Sequence, residues 1–120
     1  MSKKSRDKGA RFERTVAQWF RDAGFDHARR GGNQCRSGSD GPDVVVPELP
    51  LWIEAKTRAR IGGVIPAALE QAEEATNGPT PIAIVKGNHQ SPIVSMRWDT
   101  FVSLLKGEIV TACQSPSDNE

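Results

Sequence analysis

The sequence predicts a mixed α/β domain, a central β-sheet with helices on its faces. Three observations carry this. An amphipathic run has helical spacing at Phe12, Val16, Trp19, Phe20 and Ala23. Short apolar runs then recur between Pro, Gly and Asn residues, at 44–46, 51–55, 81–85 and 92–96. A second helical pattern, Ala68, Leu69, Ala72 and Ala75, lies between two of those runs. The chain has 120 residues, which suits one domain with one modest core.

The elements follow in order. The first helix runs to Ala23, with Gly24 as its C-cap. Residues 29–41 are rich in Gly, Ser, Asn and Arg and read as a loop, preceded by a short strand over 27–30. Val44, Val45 and Val46 form a continuous apolar run, the pattern of a strand buried on both faces. A turn at Pro47-Glu48-Leu49-Pro50 leads into the strand Leu51-Trp52-Ile53-Glu54-Ala55-Lys56. Pro66 suits the start of the second helix, and Asn77-Gly78-Pro79 ends it. Strands over 81–85 and 92–96 come next. Asp99 then reads as the N-cap of a helix over 100–106 that stops at Gly107. A last edge strand is expected over 108–113. Residues 1–7 read as a flexible basic arm, 8–114 as the domain and 115–120 as a flexible tail.

Composition narrows the function classes. Hydrophobic content of 37% and charged content of 26% are those of a globular domain. No apolar run approaches ~18 residues, so no membrane-spanning helix is expected. The basic N-terminus has no apolar segment behind it and does not read as a secretory signal. Cys35 and Cys113 lie in no metal-type spacing and read as free thiols in a reducing cytoplasm, with one disulfide between them as the alternative. His27 and His89 are isolated and read as structural or surface residues.

The formal charge of +1 hides an asymmetry. Residues 1–60 carry 13 Lys/Arg against 8 Asp/Glu, and residues 61–120 carry 3 against 7. Lys3, Lys4, Arg6, Lys8, Arg11 and Arg14 head the basic half, and Arg29, Arg30 and Arg36 follow. A polyanion approaching that half meets positive charge first. For the first few of these residues, a solubilising tail is the alternative.

The same half holds the acids with the most distinctive placement. Side chains alternate along a strand, so Trp52, Glu54 and Lys56 share one face and Ile53 and Ala55 the other. A hairpin bend brings Asp43 toward Glu54 and Lys56. Two carboxylates converging with one ammonium can hold a divalent metal and orient a water for attack on phosphate. An ordinary ion pair on a solvated face is the alternative for Glu54 and Lys56 taken alone. At about 100° per residue, Glu13 falls on the flank of the first helix's apolar stripe, beside Phe20. From there it reaches a cleft between helix and sheet, or else pairs with a nearby basic residue. Asp43 is fixed by the valine run, whereas Asp40, with Ser39, sits in turn chemistry. Gln71 lies near the apolar face of the second helix. It either looks into the same cleft or sits on the surface.

Taken together, several stretches of the chain resemble the PD-(D/E)xK nuclease superfamily. They are Lys8-Gly9, Phe12-Glu13-Arg14, Ala23-Gly24-Phe25, Arg29-Arg30, Pro42-Asp43 and Ile53-Glu54-Ala55-Lys56. Within the superfamily they are most similar to the archaeal and phage type of Holliday-junction resolvase. The resemblance spans roughly residues 8–86. It implies a restriction-endonuclease-like fold, a single domain with a central mixed β-sheet flanked by helices. It implies a metal site formed by Glu13, Asp43, Glu54 and the Ala55 backbone, with Lys56 as the catalytic lysine. Mg2+, or Mn2+ in its place, would be the cofactor. The implied reaction is hydrolysis of DNA phosphodiesters to leave 5′-phosphates. The implied substrate is branched DNA, cut by a homodimer in the cytoplasm, the host's if the chain is phage-encoded. Gln71 matches a glutamine of some superfamily branches, and Ser39 and Asp40 would lie in an outer shell.

Gly41-Pro42-Asp43 is also similar to the virus-type replication-repair (VRR-NUC) nuclease branch. A restriction- or repair-type nuclease acting on flaps or duplex DNA is therefore one alternative. A DNA-binding module without catalysis is the other, and the intact acid set speaks against it.

Overall fold

The structure is a computed structural model and describes residues 3–31 and 41–108. Helix α1 (Lys3–Asp22) is followed by strands β1 (Arg29–Arg30), β2 (Val44–Val45) and β3 (Leu51–Arg58). Helix α2 (Val64–Ala75), strands β4 (Thr80–Gly87) and β5 (Ile93–Ser95) and helix α3 (Trp98–Leu105) complete the described chain. The strands form one sheet in the order β1-β2-β3-β4-β5. β3 and β4 are parallel, with Leu51 opposite Thr80 and Arg58 opposite Gly87. The other neighbours are antiparallel. A parallel pair needs a crossover, and α2 supplies it.

Alternation along the central strands sorts the core into two layers. Ile53, Ala55, Ile82 and Ile84 join Phe12, Val16 and Ala17 of α1 on one side. Ala83 and Val85 join Ala68 and Leu69 of α2 on the other. Of the α1 stripe expected from Phe12, Val16, Trp19, Phe20 and Ala23, the residues Phe12, Val16 and Phe20 pack against the sheet, whereas Trp19 and Ala23 are exposed. Gly24, Gly78 and Gly107 all take positive φ where the chain leaves α1, α2 and α3.

Several boundaries differ from the sequence expectation, among them β1, which starts at Arg29 rather than His27, and β3, which runs on to Arg58. α1 begins at Lys3, so the basic residues read as an arm form its first turns. Long Lys and Arg side chains are good helix formers, and continuity with the packed part of the helix orders them. β2 pairs only over Val44–Val45, although Val46 is also buried. α3 starts one residue before Asp99, with Arg97 in the cap position and no side-chain cap. Asp99 instead lies in the first turn, where its charge still complements the helix dipole. α3 contributes no buried residue. The strand expected over 108–113 falls, beyond Glu108, outside the described residues, as do the tail, Cys35 and Cys113.

Candidate active site

The acids converge where β2 leaves β3. The Asp43 amide donates to the Ile53 carbonyl at 2.9 Å, and the Asp43 carbonyl accepts from Gly31 N–H at 2.9 Å. Asp43 is thus clamped between β3 and the end of β1. Its carboxylate reaches across the strand gap, where Oδ2 accepts from the Ala55 amide at 3.0 Å. On β3, alternation places Glu54 and Lys56 on the same face, beside Ala83 and Val85. Lys56 Nζ lies 3.8 Å from Asp43 Oδ2 and 3.7 Å from Glu54 Oε1. The cluster of Asp43, Glu54 and Lys56 expected from the strand pattern is present.

Glu54 is the unusual member. It is 2% exposed, the one charged residue in the core of the described chain. Trp52 Nε1 donates to its Oε2 at 3.1 Å, whereas Oε1 is buried without a hydrogen bond. Burial pushes its carboxyl up to about 7, and the neighbouring Asp43 carboxylate adds to the rise. Lys56 opposes the rise but does not cancel it.

Glu13 approaches from α1. Burial raises its pKa, the Arg30 hydrogen bond works against that, and the Asp43 charge raises it further. Arg30 Nε donates to Glu13 Oε1 at 2.7 Å. Glu13 therefore combines both sequence readings: it pairs with a basic residue, and it feels Asp43 and Lys56. Among the described residues no group of three or more acids, His or Cys is close enough to hold an ion by itself. Glu13 stands off, held by Arg30.

The donor set suits a hard divalent cation. A buried carboxylate oxygen without a hydrogen bond, beside a second carboxylate, is an oxygen site whose two negative charges the single Lys56 ammonium does not balance. Asp43 and Glu54 fit such an ion. Thiolate and imidazole ligands are absent from the cluster among the described residues, which suits Mg2+ or Mn2+ over softer metals.

The other predicted residues fall as follows. Lys3, Lys4, Arg6, Lys8, Arg11 and Arg14 are exposed along α1, and Arg29 is exposed on β1. Arg30, read as a DNA contact, is half-buried and bonded to Glu13. Gln71 is exposed on α2 and makes no hydrogen bond to the acids. Arg36, Ser39 and Asp40 lie outside the described residues. Sequence reasoning missed Trp52 as the donor to Glu54, although the i, i+2 spacing on a strand signals it. It named Ala55 for its carbonyl. The structure adds the Ala55 amide as the anchor of Asp43.

A five-stranded mixed sheet flanked by helices, with Pro42-Asp43 beside Glu54-Ala55-Lys56, is the restriction-endonuclease-like arrangement of PD-(D/E)xK nucleases. The family model described as archaeal Holliday junction resolvase (hjc) matches residues 4–76, and the chain belongs to that family. No curated protein and no solved structure matches the chain. Membership makes it a nuclease, and the family implies a branched DNA substrate. Among the described residues no helix is long and apolar enough to cross a membrane.

Proposed function

We propose that this chain is a divalent-metal-dependent endonuclease that resolves four-way DNA junctions. The observation that carries the reading is the convergence of Asp43, Glu54 and Lys56 inside the segment matched to the resolvase family. Asp43, Glu54 and the Ala55 carbonyl would hold Mg2+ or Mn2+. That ion, when bound, neutralises charge on the phosphate and makes water a better nucleophile. Lys56 orients the attacking water or neutralises charge developing on the phosphate oxygens. Glu13, set back by Arg30, would hold a water or a second ion at the rim. In the reaction the water oxygen bonds to phosphorus and the bond to the 3′ oxygen breaks. The water proton ends on that 3′ oxygen, and the new end is a 5′-phosphate.

Binding rests on the exposed cations of α1 and on Arg29, which meet phosphates rather than base edges. Two opposed strands of a junction must be cut, so a homodimer with two such sites is part of the reading. The test is mutational. Asp43→Asn, Glu54→Gln and Lys56→Ala should each abolish cleavage and leave junction binding largely intact. Wild-type cleavage rates from purified Glu54→Gln protein would refute the assignment.

A further inference from the structure

Beside the acid cluster, α1 packs against β3, and Lys86 near the C-terminal end of the parallel strand β4 borders a hollow with it. Thr57 and Lys86 are register partners there, as are Arg58 and Gly87. Crevices outside the carboxyl ends of parallel strands are recurrent ligand sites. Three adjoining hollows lie under the helix. One of about 270 Å³ is bordered by Glu13, Arg30 and Lys56 and shares Ser5, Gly9, Thr57 and Arg58 with the next. That second hollow, about 250 Å³, adds Lys8. The third, about 240 Å³, continues from Lys8 and Thr57 to Arg11, Trp19 and Lys86. Together they form one groove leading away from the acids.

The lining has a consistent chemistry. Lys8, Arg11, Arg58 and Lys86 border the second and third hollows, and no acid among the described residues does. Trp19 is 37% exposed at the far end. Phe12 braces its ring edge-on, with centroids 5.9 Å apart. Gly9 lines the wall inside a helix, where glycine is unfavourable. A Cβ there meets nothing within 4 Å, so packing does not require the glycine. Its effect is to keep the groove open.

We propose that this groove is a track for single-stranded DNA, the polymer following from the nuclease reading above. Lys8 and Arg58 hold a phosphate next to the cleavage site. A base stacks on Trp19, with Arg11 and Lys86 holding the flanking phosphates. A cationic groove with an aromatic platform is the recurrent solution for binding unpaired strands. The track takes a strand unpaired beside the branch point.

The test is fluorescence anisotropy in EDTA, where no cleavage occurs, with labelled oligothymidylate of about 12 nucleotides and a duplex of equal length. Gly9→Leu, Trp19→Ala and Lys86→Ala should each weaken single-strand binding by about tenfold and leave duplex binding within about twofold. Gly9→Leu should also keep or raise the melting temperature, so its weaker binding would not reflect unfolding. Equal losses on both DNAs would overturn the track, as would unchanged single-strand binding by Gly9→Leu. The nuclease reading fails separately, by absence of cleavage with Mg2+, and this measurement does not depend on it.

Discussion

Replacing Glu54 with glutamine should stabilise the metal-free protein increasingly as pH rises through the window from 4.5 to about 7, and in full only above it. The Glu54 carboxyl is buried, has one oxygen without a hydrogen bond and lies beside Asp43. Its pKa rises from 4.5 to about 7. Between those values the unfolded chain loses the proton while the folded chain keeps it. The unfolded state then binds fewer protons, so stability falls as pH climbs through that window. Below it both states are protonated, and above it the loss is complete. At about 1.4 kcal/mol per unit, the interval corresponds to roughly 3 kcal/mol. Glu54→Gln removes this titration and keeps an oxygen to accept from Trp52. Glu13 titrates in both proteins and cancels in the comparison. Thermal melts in EDTA should show a gap between variant and wild type that widens from pH 5 to pH 8. At pH 8 the variant should melt higher by roughly 10 °C. Mg2+ should then raise the melting point of the wild type and not of the variant, because binding to the folded state alone stabilises it. A gap of the same size at pH 5 and pH 8 would refute the reasoning, as would a variant less stable than wild type at pH 8.

Three further outcomes are expected. Glu13→Gln should lower cleavage strongly with little change in melting temperature, and Asp40→Asn should do less; a cleavage assay showing the reverse order would move the rim acid to Asp40. Gly31→Ala should place a methyl against the Pro42 carbonyl oxygen and the Val45 side chain and shift Asp43, to which Gly31 is bonded. Overpacking of this kind costs about 1–3 kcal/mol, and denaturant melts together with cleavage rates should show cleavage suffering more than stability predicts. Deleting residues 1–6 should weaken binding to every DNA form and flatten the salt dependence, by roughly 0.9 in log–log slope for each phosphate no longer neutralised, while saturating cleavage stays near wild type; an unchanged slope in a salt titration would take the start of α1 out of the interface.

Much of the site was legible because strand periodicity is simple. Glu54 and Lys56 are two residues apart, so alternation alone puts them on one face, and Asp43 is tied to the valine run that pairs with β3. The α1 stripe was legible for the same reason at helical period. What the sequence did not disclose depends on long-range partners. Arg30 is bonded to a glutamate 17 residues earlier, and no local pattern distinguishes it from Arg29. The start of α1 is not legible because a run of cations reads as a solvated arm. Its helical propensity counts only once Phe12 and Val16 anchor the rest of the helix. Thr57, Arg58 and Lys86 gained significance only from the parallel register of β3 and β4, which the sequence does not specify.

The central claim is metal-dependent cutting selective for four-way junctions. Its most direct test is one cleavage assay with Mg2+, offering a labelled junction in competition with unlabelled junction, flap, single-stranded or linear duplex DNA. Unlabelled junction should suppress the labelled cut at far lower concentration than duplex does, and EDTA should abolish cutting. If linear duplex competes as well as junction does, the resolvase reading fails and a broader nuclease reading replaces it. If cutting persists in EDTA, the metal-dependent account of Asp43 and Glu54 is wrong.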